Sequence, residues 1–264
     1  MYDFIYQKPA SLADAAKAIA AAEDGKLMAG GMTLIPTLKQ RLARPSDVID
    51  LGKIAELAGI KQEGNALVIG AMTRHADVAN SDLVKKVNPA LAHLAGLIGD
   101  PAVRNRGTLG GSIANNDPAA DYPGAVVALG ATVTTNKRKI AGDDFFTGMF
   151  ETALEPNEII TAVSFPSAEK AAYTKFPNPA SRYAIVGVFV AKSGAGARVA
   201  VTGAGPCVFR VPEMEQALAK SFTADAIKDV KVSASDLNSD IHASSEYRAH
   251  LINVMARRAV AACG

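Results

Sequence analysis

The run at residues 107–121 constrains this chain most; it reads Gly-Thr-Leu-Gly-Gly-Ser-Ile-Ala-Asn-Asn-Asp-Pro-Ala-Ala-Asp. Its adjacent glycines let a backbone approach a ligand with no Cβ in the way. The hydroxyls of Thr108 and Ser112 and the carboxylate of Asp121 can hydrogen-bond to phosphate and sugar oxygens. Few apolar cores need such a run, so we interpret it as a ligand-binding loop.

A second pair of glycines, Gly30 and Gly31, follows a short apolar segment and precedes Thr33, which can cap a helix. This order predicts a strand, a tight turn and a helix N-terminus. Such a terminus presents free backbone N–H groups and a positive dipole potential, which suit the pyrophosphate of a dinucleotide. Neither glycine segment reads G-x-G-x-x-G, and no G-x-x-x-x-G-K-[ST] occurs, so the Rossmann and P-loop solutions are unsupported. We therefore expect two segments that lie far apart in the sequence to share one ligand.

Composition indicates a globular protein of about two domains, because the chain has 264 residues of which 49% are hydrophobic. The net charge is +2 with acids and bases interspersed, which argues against nucleic acid and a membrane surface as partners. The basic run 137–139 fits a solvated turn. No charged segment leads into an apolar one, and no apolar run approaches roughly 18 residues, so we expect a cytoplasmic protein with no membrane span.

The cysteines and histidines argue against several kinds of chemistry. The two cysteines, Cys207 and Cys263, cannot supply the four thiolates that an iron–sulfur cluster usually requires, so any cluster must lie on another chain. The four histidines show no metal-ligand spacing, and we expect no metal site in this chain. No Ser-His-Asp or Cys-His arrangement supports hydrolysis, and we assign no catalytic residue.

Apolar periodicity predicts an α+β protein with three groups of elements. The first group, residues 1–57, alternates strands at 4–6, 27–29 and 48–50 with helices at 11–22 and 33–41. The second, residues 59–167, has strands at 66–70, 131–135 and 159–165 and helices at 73–79, 89–98 and 122–130, with 107–121 as an interrupting loop. The third, residues 168–264, has antiparallel strands at 173–176, 185–191 and 198–202 and a last helix at 245–262. We place the domain boundary at Pro166 and Ser167, so that residues 1–167 form one domain of two subdomains.

The two glycine segments together resemble the FAD-binding medium subunits of the molybdenum hydroxylases, in particular the carbon monoxide dehydrogenase and xanthine dehydrogenase flavin subunits. Asn105 and Arg106 precede the second segment and Asp121 closes it, at the family's spacing. The resemblance extends from Tyr2 through the run 203–206 to the C-terminal helix. It implies a two-subdomain FAD-binding domain of the vanillyl-alcohol-oxidase/PCMH type, followed by a C-terminal antiparallel sheet with helices. FAD should lie in the crease between the subdomains.

The resemblance also implies which residues bind FAD. The glycine segments should surround the pyrophosphate and the adjoining sugar, Asp121 should bind flavin hydroxyls, two isoleucines should pack near the ring system, and Lys175 should lie close to the cofactor. The full set is Leu27, Met28, Ala29, Gly30, Gly31, Met32, Thr33, Leu34, Ile98, Thr108, Leu109, Gly110, Gly111, Ser112, Asp121, Ile160 and Lys175. For Lys175 the alternative is an ordinary solvated lysine at a strand edge. Tyr183 is either a residue that approaches the flavin or an ordinary strand tyrosine.

Membership of this family would make the chain an electron-exit module. In the family, a large subunit hydroxylates the substrate at a molybdenum centre, a small iron–sulfur subunit relays electrons, and the flavin passes them to an external acceptor. The resemblance therefore implies these two partner subunits in a dimer of heterotrimers, and no acid or base of this chain need touch the substrate. Two alternatives stay open: a stand-alone FAD-dependent oxidase or reductase of the same fold, and a docking subunit that has lost its flavin.

Overall fold

The computed structural model describes residues 1–263, and its first unit is a three-stranded parallel sheet. The unit consists of β1 (Ile5–Gln7), α1 (Leu12–Ala21), β2 (Gly25–Met28), α2 (Leu34–Lys39) and β3 (Asp47–Asp50), with β3 between the other two strands. Helix α1 begins where predicted because the Ser11 hydroxyl accepts a hydrogen bond from the Asp14 backbone N–H. Its buried residues Ala15 and Ile19 share a small core with Ile49 of β3.

The second unit is a five-stranded antiparallel sheet with helices packed against it. Its strands and an accessory hairpin are β4 (Ile60–Glu63), β5 (Ala66–Gly70), β6 (Thr132–Thr135), β7 (Lys139–Ala141), the hairpin β8 (Phe146–Gly148) and β9 (Glu151–Thr152), and β10 (Ile160–Pro166). The sheet order β4-β5-β10-β6-β7 puts β10 at its centre. The helices are α3 (His75–Asn80), α4 (Asp82–Val87), α5 (Pro89–Gly96), α6 (Pro101–Arg104), α7 (Leu109–Asn115), α8 (Tyr122–Ala128) and α9 (Gly142–Phe145).

The third unit is a four-stranded antiparallel sheet whose inner strand β12 is covered on both faces. The unit comprises β11 (Lys170–Pro177), β12 (Ala184–Ser193), β13 (Gly196–Thr202), β14 (Phe209–Arg210), α10 (Pro212–Lys220) and α11 (Ser245–Ala262). Val186 and Val188 join a cluster that includes Met255 of α11, whereas Phe189 joins the core that contains Tyr122 of α8. This alternation places α11 and α8 on opposite faces of β12. The second and third units therefore share a hydrophobic core.

The predicted fold class is confirmed, but two local predictions about the glycine segments are wrong. Residues 107–121 are not an uninterrupted loop, because α7 holds the Gly110-Gly111 pair in its first turn. The Thr108 hydroxyl caps this helix by accepting from the backbone N–H of Gly111. Thr33 does not cap α2, since its side chain makes no capping hydrogen bond and its backbone is helical, with φ −102° and ψ −50°. A capping residue needs extended backbone.

Candidate functional site

The two glycine segments meet in direct backbone contact. A Cβ placed on Gly30 would lie 2.0 Å from the carbonyl oxygen of Arg106. A Cβ on Gly111 would lie 2.9 Å from Oγ1 of Thr108 and 3.2 Å from Cβ of Ala29. The sequence interpretation attributed the glycine pairs to a ligand, whereas at Gly30 it is the facing chain segment that requires glycine.

A cleft of about 640 Å³, which we call the glycine cleft, lies between residues 27–34 and 107–112. Its volume is within the range of roughly 300–1,000 Å³ that is typical of small-molecule sites. Most of the predicted set lines it: Leu27, Ala29, Gly30, Gly31, Met32, Thr33, Leu34, Ile98, Thr108, Gly110, Gly111, Ser112, Asp121 and Ile160. Three predicted residues are not on its wall: Met28 is half-buried in β2, Leu109 is buried in the core of the second unit, and Lys175 contacts Asp121.

Free backbone donors come from the first glycine segment. Among residues 1–263, no hydrogen bond uses the backbone N–H groups of residues 30–33. Gly31 has a φ of +76°, and consecutive N–H groups in such a turn form a concavity that binds anions. The N–H groups of residues 109–112, by contrast, all donate within the protein, to Thr73, Ala71 and Thr108. The first segment therefore fits a pyrophosphate, while the second contributes the Ser112 side chain to the wall.

Asp121 lies in a buried network with Lys175 and Tyr173. The Lys175 Nζ is 3.0 Å from Oδ1 and 3.2 Å from Oδ2 of Asp121, and the two side chains are 3% and 5% exposed. Tyr173 donates its hydroxyl to Oδ1 at 2.5 Å, and Lys175 also donates to the carbonyl of Leu97 at 2.8 Å. Lys175 is therefore not a solvated lysine at a strand edge. It fixes the Asp121 carboxylate at the cleft wall.

The network keeps a carboxylate available to a ligand. Burial raises the pKa of Asp121 above its ordinary value, whereas the charge of Lys175 and the hydrogen bonds from Tyr173 and Lys175 act in the opposite direction. Burial and the neighbouring Asp121 also raise the pKa of Tyr173, so its hydroxyl stays protonated and donates. Each carboxylate oxygen has two acceptor sites, and those not taken by Lys175 and Tyr173 can accept from a ligand hydroxyl.

Sequence reasoning missed Glu158, which borders the cleft and whose side chain is fully buried. Arg138 and the Thr135 hydroxyl donate to its Oε1 at 3.1 and 2.7 Å, and the Glu155 backbone N–H donates to its Oε2 at 2.7 Å. Burial by itself would raise the pKa of Glu158, but these hydrogen bonds lower it to about 2. The run 137–139 is the exposed turn between β6 and β7 that the sequence predicts, but its Arg138 also pairs with the buried Glu158. Arg138 anchors the segment that leads into β10 and Ile160, which no local pattern in the sequence indicates.

His75, which was not in the predicted set, also lines the cleft and is 4% exposed. Its Nδ1 is buried with no hydrogen-bond partner among the described residues, and its ring centre is 5.4 Å from that of Tyr122. Burial, helped by the charge of Arg104, lowers the pKa of His75 to about 4. The imidazole is therefore neutral at pH 7 and presents a packing surface to the cleft.

The depressed pKa of His75 makes stability depend on pH. An unfolded histidine titrates near 6.5, so between pH 6.5 and about 4 the unfolded chain binds the extra proton. We expect the free energy of unfolding to fall by about 3 kcal/mol from this residue over that interval. His75→Leu, which cannot take up the proton, should flatten the slope when urea unfolding is measured from pH 7 to pH 4. An unchanged slope would contradict a buried neutral histidine.

The described part of the chain offers neither a metal site nor a membrane helix. Within residues 1–263, no group of three or more His, Cys, Asp or Glu side chains is placed to hold a metal ion. In the same residues, no helix combines the length and the apolar character needed to cross a bilayer.

Family models and individual relatives match almost the whole chain. The model for the FAD binding domain in molybdopterin dehydrogenase matches residues 2–168, and the model for the CO dehydrogenase flavoprotein C-terminal domain matches residues 171–263. The nicotine 6-hydroxylase medium subunit of Paenarthrobacter nicotinovorans is 37% identical, over 98% of this chain and 96% of the relative. The carbon monoxide dehydrogenase medium chain of Hydrogenophaga pseudoflava is 34% identical, over 97% and 96%.

Solved structures show the same similarity. A chain of the reconstituted CO dehydrogenase from Oligotropha carboxidovorans superposes with a TM-score of 0.91 at 32% identity, covering 99% of this chain and 98% of that one. A chain of quinoline 2-oxidoreductase from Pseudomonas putida 86 gives a TM-score of 0.90 at 29% identity, covering 99% and 97%. The sequence, the fold and the glycine cleft agree with these matches. The chain therefore belongs to the FAD-binding medium subunits of the molybdenum hydroxylases.

Proposed function

We propose that this chain is the FAD-carrying electron-transfer subunit of a molybdenum hydroxylase complex. It takes electrons from an iron–sulfur subunit and passes them to an external acceptor. The observation that carries the proposal is the run of free backbone N–H groups at residues 30–33 on the wall of the glycine cleft. Such a run fits the pyrophosphate of FAD, which needs hydrogen-bond donors.

In this proposal the residues of the cleft bind and orient the cofactor. Residues 30–33 donate to the pyrophosphate, Ile98 and Ile160 pack near the ring system, and Asp121 accepts from flavin hydroxyls. Lys175 supports the cofactor through Asp121, whose carboxylate it holds in place together with Tyr173. Bound FAD supplies the redox chemistry, while the protein sets its orientation and access.

The same proposal assigns two partner subunits, a small iron–sulfur protein and a large molybdenum-cofactor protein, in a dimer of heterotrimers. Two observations support it: several relatives are themselves named as medium subunits or medium chains, and two cysteines cannot hold a cluster here. A cytoplasmic location belongs to the proposal too. So does a division into an FAD-binding domain at 1–167, with subdomains 1–57 and 59–167, and a C-terminal domain at 168–264.

Purification with and without the partner subunits tests this function. We expect the chain to carry one noncovalent FAD, identified by its absorbance and by release in acid. We expect the isolated chain to show no turnover with carbon monoxide, purines, aldehydes or N-heteroaromatics, and the complete complex to oxidise one of these classes. Robust turnover by the isolated chain would instead favour a stand-alone oxidase or reductase, and no flavin after reconstitution would favour a docking subunit.

A further inference from the structure

A second cavity, of about 360 Å³, lies beside the glycine cleft. Asp117, Ser181 and Tyr183 line both spaces. The remaining wall of the second cavity comes from residues 118–119, Phe150, Asn178, the start of β12, Gly203, the segment that precedes α11, and Arg248 of α11. A molecule bound there is therefore a direct neighbour of the space that FAD fills.

Two exposed aromatic side chains line the second cavity, Phe150 at 57% and Tyr183 at 47% exposure. Phe150 has a φ of +57°, a left-handed conformation that a bulky residue rarely adopts. The buried Asn116 holds this hairpin, because its Nδ2 donates to the carbonyls of Gly148 and Glu151 at 2.8 and 2.7 Å. An aromatic ring held in solvent at the expense of backbone strain indicates a contact with a ligand.

The charges on this wall leave one carboxylate without a counter-charge. Arg248 donates to the carbonyls of Ile185 and Gly203 and forms an ion pair with Asp240 at 2.7 Å, so its charge is balanced within the protein. Asp117 accepts a hydrogen bond from the Ala119 backbone N–H but forms no ion pair within residues 1–263. The electrostatic character of the second cavity is therefore negative.

We propose that the second cavity binds the external electron acceptor, a planar aromatic molecule that is uncharged or cationic, such as a quinone or a phenazinium. Phe150 and Tyr183 contact its ring, and Asp117 disfavours anionic acceptors. Arg182 lines the glycine cleft but not the second cavity, and its guanidinium donates to the carbonyl of Gly99 at 3.4 Å. The other titratable side chains on this wall are Tyr183, His242 and the ion-paired Asp240 and Arg248.

This inference rests on the proposed function, since the acceptor must meet a flavin that the partner subunits have reduced. With a quinone, the reduced flavin loses two electrons and two protons, and the quinone gains both and leaves as the hydroquinone. Electrons and atoms balance with no further reactant. The second cavity thus needs no acid or base of its own, only a surface that holds an aromatic ring beside the flavin.

Phe150→Ala and Met149→Ala in the complete complex form a matched pair of variants. The two residues are neighbours on one hairpin and are 57% and 49% exposed, but only Phe150 lines the second cavity. We expect Phe150→Ala to raise the KM for a short-chain ubiquinone analogue about three- to tenfold, the size of one aromatic contact. Equilibrium dialysis of the analogue against the oxidised complex should show the same loss. Met149→Ala should change neither quantity.

Asp117→Asn tests the selection by charge, because the asparagine oxygen can still accept from the Ala119 N–H. We expect the KM for cationic phenazine methosulfate to rise about threefold or more and the KM for anionic dichlorophenolindophenol to fall. The KM for the uncharged quinone analogue should stay the same. FAD content per complex, measured in parallel, shows whether the glycine cleft is intact.

The outcomes separate this inference from the proposed function. Equal KM and dialysis values for wild type, Phe150→Ala and Met149→Ala, with a flavin that the substrate still reduces, would overturn the inference and leave the proposed function standing. Loss of the iron–sulfur subunit on purification of Phe150→Ala would identify the surface as a subunit interface and also overturn it. A wild-type flavin that the partner subunits do not reduce would overturn the proposed function itself.

Discussion

Gly30→Ala should reduce the affinity for FAD by at least about 100-fold. A Cβ at this position would lie 2.0 Å from the carbonyl oxygen of Arg106, and a backbone oxygen cannot rotate away as a side chain can. The two glycine segments must then separate, which displaces the free donors at residues 30–33. Each hydrogen bond lost to a charged group costs about 1.5–3 kcal/mol, so two such losses exceed the 2.7 kcal/mol that corresponds to about 100-fold.

The loss of FAD affinity is measured by titrating FAD into the complex after its flavin has been removed, either by stripping or by unfolding and refolding. Gly194→Ala is the matched control, because a Cβ there would have no heavy atom within 4 Å and the backbone is not left-handed. We expect Gly194→Ala to retain wild-type affinity. A Gly30→Ala variant with wild-type affinity would show that the segments tolerate separation and that the contact is not what shapes the cleft.

Lys175→Met should destabilise the protein by about 3–5 kcal/mol, because it leaves the carboxylate of Asp121 buried without its cation. Asp121→Asn in the same chain should restore most of the loss, since an amide carries no charge and its oxygen can still accept from Tyr173. Lys61→Met is the control, because Lys61 and its partner Glu63 are well exposed and contribute little. Urea unfolding measures all three free energies.

The pH dependence of Lys175→Met has a definite sign. Burial raises the pKa of Asp121, and removal of Lys175 takes away one of the groups that oppose this rise. A raised pKa in the folded state stabilises the protein below the unfolded value near 3.9 and loses that contribution as the pH rises. The deficit relative to wild type should therefore grow above about pH 4. A deficit independent of pH would indicate lost packing instead of an unpaired carboxylate.

Local signals made the helices and strands predictable, whereas the contacts that shape the site depend on tertiary structure. Ser11 caps α1, and α11 begins and ends where its apolar pattern predicts. Helix α7 escaped prediction because two glycines weaken its intrinsic propensity, while the bond from the Gly110 N–H to the carbonyl of Ala71 supports it from another part of the chain. No local sequence pattern indicates such a hydrogen bond.

The site residues divide in the same way, into those that the local sequence indicates and those that depend on tertiary contacts. The glycine pairs are visible in the local sequence, and most of the residues that the family resemblance adds around them line the cleft. The sequence did not decide whether Lys175 is solvated or buried, because its partner Asp121 lies 54 residues away and on another unit. Glu158 was missed for a similar reason, since its burial and its bond to Arg138 arise only when β10 pairs with β6.

The shared core around β12 has a consequence for the order of events during synthesis. Asp121 belongs to the part of the chain that is made first, but Tyr173 and Lys175, which hold its carboxylate, lie on β11. While the chain grows, Asp121 has neither partner until that strand has left the ribosome and paired with β12. We therefore expect cofactor loading to be a late step of biogenesis, because an excised segment that ends at residue 168 would emerge with the Asp121 carboxylate unsupported and part of its core open to water.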